Sequence, residues 1–272
     1  MLAVLREIDR RDRVLSRLGW FQIALLIAML AAMPFDPRTI LGINPWIKPA
    51  KFAASIAIYA WTLAWFLPHL TGPAWAKALV RWGTCVAMTV EIVCIGGQSL
   101  RGTTSHFNDA TPLDGAIFSV MGLMILFSTG LDALLLVLFF RRNAPLPPPY
   151  LWGIRLGLAG VIAGGVIGVG MVAHQGHSYG GTDGGPGLPV VHWNAVGGDL
   201  RPAHALALHA LQILPLVGYS ISRGKLVRTS PRQVAAFATV ALFYAALTGA
   251  ILWQALAGHP LLPIGNATIQ AR

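Results

Sequence analysis

Residues 115–140 read GAIFSVMGLMILFSTGLDALLLVLFF, and Arg141 and Arg142 close the run. A helix needs about 20 mostly apolar residues to cross the hydrocarbon core of a bilayer. This stretch exceeds that length and carries one charge, Asp132. Six further segments follow the same pattern on either side: 18–33, 50–67, 82–98, 151–173, 202–221 and 233–257. The first two are short and borrow flanking residues. The fold expected is an all-α integral membrane protein, a seven-transmembrane-helix bundle forming one polytopic domain over 1–272.

The whole chain has the same character. Its 272 residues are 55% hydrophobic and 11% charged, where soluble domains carry about 25% charge. That excludes a disordered chain, a collagen and a disulfide-stapled module, and it argues against an ordinary soluble enzyme. Cys85 and Cys94 lie in one apolar segment without a CxxC pair, and read as buried small side chains. The net charge of +10 gathers between the apolar runs, so it reads as membrane orientation rather than as a nucleic-acid surface. With the N-terminus in the cytoplasm, the outer side receives Arg38, Lys48, Lys51, Arg101, Arg201 and Arg272, and the rest of the 20 Lys and Arg fall inside. The positive-inside rule then places the C-terminus on the extracytoplasmic side, in a bacterial-type cytoplasmic membrane. Glu7, Asp9 and Asp12 interrupt the basic leader of the first run, which reads as an uncleaved helix rather than a signal peptide.

Ionisable residues inside a membrane are costly, so each is a candidate for function. Glu91 stands in the middle of the third segment. Thr84, Glu91 and Gln98 recur every seven residues and share a face that must meet protein. Asp132 and Arg155 fall at similar depths in neighbouring segments and are expected to pair. In the fifth segment, where Gly157, Gly160, Gly164, Gly165, Gly168 and Gly170 lie, Gly160 with Gly164 and Gly164 with Gly168 form small-xxx-small pairs, the pattern of a groove into which another helix packs closely.

Seven of the 8 histidines are assigned to the outer side: His106, His174, His177, His192, His204, His209 and His259. Imidazole ligates metals and titrates near neutrality. With carboxylates assigned to the same side, this predicts an outward-facing polar site built from the third and sixth segments. His106, Asp109, His192, His204 and His209 are candidate ligands of a divalent metal, zinc or iron. Glu91, Arg101 and Asp199 are candidate catalytic groups. Lys48, Lys51, Gln98, Arg201 and Gln212 are candidate contacts to a lipid or other amphipathic substrate. His204 and His209 are five apart and point about 140° away from each other, so they cannot form an HExxH-like pair; His209 and Gln212, three apart, share a face.

A metal-dependent membrane hydrolase is one reading of this set. A haem-bearing or other redox protein, a proton-coupled transporter and a non-catalytic assembly factor are the others. A retinal protein would need a lysine in 233–257, which has none.

Overall fold

The structure is a computed structural model that describes residues 2–142, 144–189, 191–222 and 229–262. Arg223, Lys225, Arg228 and Arg272, counted above for orientation, lie outside the described residues. The chain groups into two compact units, Met1–Leu146 and Pro147–Arg272.

Unit 1 holds α1 (Leu2–Arg11), α2 (Arg13–Ala32), α3 (Ile47–Phe66), α4 (Ala74–Leu100) and α5 (Pro112–Arg141). Unit 2 holds α6 (Pro148–Ala173), α7 (Arg201–Ser222) and α8 (Pro231–Leu256), with a two-residue antiparallel pair, β1 (Ser178–Tyr179) and β2 (Gly198–Asp199), before α7. Helices α2 to α8 are each long and apolar enough to cross a membrane, so the protein is a multi-pass membrane protein.

All seven expected segments are present, with shifted ends. The third is the largest shift, since α4 begins at Ala74 rather than at 82. Pro73 precedes its first turn, and Ala74, Trp75, Ala76 and Lys77 continue the helix without a breaker. Helix α1 is additional to the seven. It is separated from α2 by Asp12, whose carboxylate caps α2 by accepting from the Val14 and Leu15 amides. Elsewhere Thr111 caps α5, Ser230 and Gln233 form a capping box at α8, and Pro112, Pro148 and Pro231 occupy first turns where no N–H is needed.

In unit 1, α3 turns a stripe of Ala50, Ala53, Ala57, Ala60 and Ala64 into the core. Small side chains let helix backbones approach closely. Gly19 of α2 serves the same end, because a Cβ there would overlap the Trp61 ring. Arg11 ties α1 to the end of α3: it donates to the Trp65 carbonyl at 3.0 Å, and its guanidinium lies 4.0 Å over the Trp65 ring.

Unit 2 is organised by the glycine groove, and α7 fills it. A Cβ at Gly153 would meet the Leu214 carbonyl and Pro215. One at Gly157 would stand 2.9 Å from the Ala210 oxygen and Leu211 Cα, and one at Gly160 would press on Ala207 and Ala210. Gly218 returns the fit against the Pro149 carbonyl. Ala210 and Leu214 of α7 also pack with Phe237 and Ala241 of α8, and Tyr244 donates to the Leu206 carbonyl at 2.6 Å.

Candidate functional site

The heptad face of α4 is the backbone of the site in unit 1. Thr84 is 0% exposed, Glu91 1% and Gln98 1%. Seven residues advance a helix by about 10.5 Å, so these side chains mark three levels across the unit.

Two contacts set α2 beside α4 in parallel. Arg81 donates to the Asp12 carboxylate at 2.6 Å, and Met29 Cε lies 4.0 Å from where a Gly96 Cβ would be. That register puts Ser16 at the level of Thr84 and Gln22 at the level of Glu91. Helix α5 runs antiparallel, with Gln98 donating to Asp114 at 2.8 Å and Leu131 lying against Gly83. It therefore brings Ser128 to the level of Thr84.

The three levels differ in how well they are satisfied. At the level of Thr84, Tyr59 Oη donates to the Asp132 carboxylate at 2.9 Å and lies 3.3 Å from Ser128 Oγ. At the level of Gln98, the Asp114 carboxylate accepts from Gln98, from Arg101 at 2.6 Å and from the Thr111 hydroxyl at 2.6 Å, while Arg101 also donates to Gln98 Oε1 at 2.5 Å. At the middle level, both Glu91 carboxyl oxygens and both polar atoms of the Gln22 carboxamide are buried without a hydrogen-bond partner among the described residues. Ser16 Oγ and Thr84 Oγ1 are likewise unpartnered. Lys48, in the first turn of α3, acts electrostatically on Glu91.

The remaining sequence candidates of unit 1 sit near the Gln98 end. His106 is half-buried among Phe52, Phe107 and Phe118, with ring centroids 5.7 to 6.2 Å away, and its Nδ1 lies 3.1 Å from Ser105 Oγ. Asp109 and Lys51 are exposed. Asp36, in the preceding loop, is held below the ordinary carboxylate range by the Arg38 side chain and further by Trp46 Nε1.

In unit 2 the candidates build a folded loop. Asp199 accepts from the Asn194 amide at 2.7 Å, from the Arg201 amide at 2.9 Å and from the Arg201 guanidinium at 2.6 Å. Burial pushes its pKa up, but these donors outweigh that and leave it lowered. Arg201 also donates to the His192 carbonyl, and His192 stands in the left-handed region at φ 53°. Asn194 Oδ1 accepts from the Val196 and Gly197 amides, and its Nδ2 donates to Ser178 Oγ. His177 Nδ1 lies 3.0 Å from Asp183 Oδ1, and the His174 ring stacks 4.2 Å from Tyr179. Within α7, His204 Nδ1 is 2.8 Å from the Gly164 carbonyl, and His209 Nδ1 is 3.2 Å from Gln212 Oε1, as their spacing predicts.

Among the described residues no group of three or more His, Cys, Asp or Glu side chains is placed to hold a metal ion. The histidines of α7 spend their Nδ1 atoms on α6 and on their own helix, and His174 and His177 on the loop fold. Within unit 1 Asp132 accepts from Tyr59, and within unit 2 the Arg155 guanidinium stands 5.1 Å over the Trp152 ring. The glycine groove, by contrast, is the helix seam its spacing suggested.

Gln22, Ser16, Tyr59 and Ser128 escaped the sequence reading. Gln22 carried a signal, as the lone amide in an apolar run. Tyr59 and Ser128 carried none, because such residues are common in membrane helices. The chain matches no known family, and neither curated proteins nor solved structures give a match.

Proposed function

We propose that the protein is a proton-coupled carrier in which Glu91 takes up and releases the proton. The observation that carries this reading is the unpartnered pair at the middle of unit 1, the Glu91 carboxyl and the Gln22 carboxamide. An unpaired polar group in a dry interior costs several kcal/mol on the scale of about 2–7. Such groups persist inside membranes where they exchange a proton, an ion or a substrate.

The chemistry suits a proton. A protonated Glu91 carboxyl donates one hydrogen bond and accepts others, and a carboxamide offers both an acceptor and donors. Gln22, at the same level, can therefore accept the acid proton and donate to the second oxygen. The level of Asp114 and Arg101 and the level of Tyr59 and Asp132 lie on either side. At about 10.5 Å per step, no direct hydrogen bond links the levels, so water or a swinging side chain carries the proton between them. In this reading the N-terminus is cytoplasmic, the C-terminus is extracytoplasmic, and the membrane is a bacterial-type cytoplasmic membrane, as the distribution of Lys and Arg supports.

The metal-dependent hydrolase suggested by the histidines stands behind this reading, since no group of three or more His, Cys, Asp or Glu side chains is placed to hold a metal ion among the described residues; the haem protein is the further alternative. Proteoliposomes with an internal pH dye and an imposed potassium diffusion potential test it. Wild-type protein should pass protons, and Glu91→Gln should slow them about 100-fold, the scale of a lost proton-transfer group. Equal rates would overturn the reading.

A further inference from the structure

A groove of about 520 Å³ opens where α1 meets the start of α2, lined by Leu5, Arg6, Asp9, Arg10, Arg13 and Trp20. We propose that it binds the phosphate of an anionic phospholipid, with the acyl chain against Trp20 and Leu5.

Charge is the first argument. Three guanidiniums face one carboxylate in the groove. Arg10 is occupied by Glu7, to which it donates at 2.7 and 2.8 Å. Arg6 and Arg13 are exposed and form no ion pair among the described residues, with Asp9 or with any other carboxylate. A guanidinium presents a planar fork of donors that matches two phosphate oxygens.

Position is the second argument, and it selects a lipid over a free phosphate. Arg13 is the first residue of a spanning helix, and Trp20, 47% exposed, stands about 10 Å further along it. A cation at the helix start and an indole one layer deeper is the spacing of a headgroup above an acyl chain. Helix α1 extends the same surface. It buries Ile8 inward, exposes Val4, and is held down by Arg11 on the Trp65 carbonyl. The groove is therefore apolar on its deep side and cationic on its shallow side.

The test uses the full chain in phosphatidylcholine bilayers doped with phosphatidylglycerol whose acyl chains are brominated. Bromine quenches indole on contact, and the difference between wild type and Trp20→Phe isolates the signal of Trp20. Quenching of Trp20 should exceed that by brominated phosphatidylcholine at equal mole fraction. Arg6→Gln/Arg13→Gln should raise the phosphatidylglycerol fraction for half-quenching about tenfold, on the scale of two cations removed from an anionic surface. Arg141→Gln/Arg142→Gln removes the same charge from the end of α5, outside the groove, and should change it less than about twofold at physiological salt. Three results would each overturn the proposal: equal quenching by the two lipids, an equal shift in the two double variants, or relief of quenching by inorganic phosphate, which would make the ligand the free ion. Trp20 emission without bromine confirms that each variant keeps its groove.

Discussion

Asp199 of unit 2 and Glu91 of unit 1 are both carboxylates at almost no exposure, 3% and 1%, and their surroundings are opposite. Asp199 accepts from two backbone amides and a guanidinium. Glu91 accepts from no donor among the described residues. The contrast extends to their units. The buried polar side chains described in unit 2, Ser178, Asn194, Asp199 and Ser222, all have partners. Among the described residues, the buried side chains without hydrogen-bond partners, Ser16, Gln22, Thr84 and Glu91, all belong to unit 1. Unit 2 spends these polar groups on hydrogen bonds within its own fold, whereas unit 1 leaves some unbonded. Burial alone is the same for both carboxylates, so their partners are what tells them apart.

The largest effect should come from the seam of unit 2. Gly157→Leu drives a side chain into the Ala210 carbonyl and Leu211 Cα, 2.9 Å from the new Cβ. Backbone cannot yield as a side chain does, and overpacking should cost about 3 kcal/mol or more. Thermal unfolding in detergent should show a large loss of Tm. Gly130→Ala in α5, with open space at its Cβ, should be neutral or slightly stabilising, because alanine favours a helix by about 1 kcal/mol over glycine. Equal losses would erase the distinction between a glycine that packs and one that does not.

Asp199→Ala should come next. Removing the acceptor leaves the Asn194 amide unpaired and the Arg201 guanidinium without its carboxylate, at about 3 kcal/mol for a broken buried pair. Loop 177–200 should become protease-sensitive while the helices stay folded. The pH dependence has a definite sign. The pKa of Asp199 is lower when folded than when unfolded, so its stabilisation is present above the ordinary carboxylate value and is lost as pH falls through the folded value. Amide protection of the loop, corrected for intrinsic exchange, should fall in acid and stay flat near neutrality.

Glu91→Leu should have the opposite sign to Asp199→Ala. Replacing an unpartnered polar group by an apolar one of similar shape is neutral or stabilising, here by about 1 kcal/mol. A higher or unchanged Tm would sharpen the contrast between the units. A loss comparable to that of Asp199→Ala would break it and return Glu91 to a structural role.

The smallest effect belongs to Glu7, an exposed partner of Arg10 and Arg11 that should not move Tm measurably when changed to Gln. Those hydrogen bonds lower its pKa to about 2 from 4.5. Its contribution is therefore present above 4.5 and lost as pH falls toward 2, and a probe on α1 should report that loss alone.

Much of this molecule is legible in the sequence, because hydrophobic length is a strong signal and the bilayer demands it. The seven spans, the α4 stripe of Thr84, Glu91 and Gln98, and the glycine seam of α6 all follow from spacing. The histidine site does not, for a physical reason. Sidedness puts His174, His192, His204 and His209 near one surface, but it says nothing of which carbonyl or ring each one meets. Gly164, Tyr179 and Gln212 engage three of those side chains within hydrogen-bonding or stacking distance. Gln22 is the converse case. Its importance comes from the helix register fixed by Asp12 with Arg81 and by Met29 with Gly96, contacts between segments that no local pattern encodes.

The most direct test of unit 1 as the working half is the charge displaced by a pH jump across oriented membranes. Wild-type protein should give a transient from proton uptake in the membrane interior. Glu91→Gln should abolish it, and Asp199→Asn, equally buried but fully bonded, should leave it intact. A transient that survives Glu91→Gln, or that disappears equally in Asp199→Asn, would contradict the assignment of the proton to Glu91.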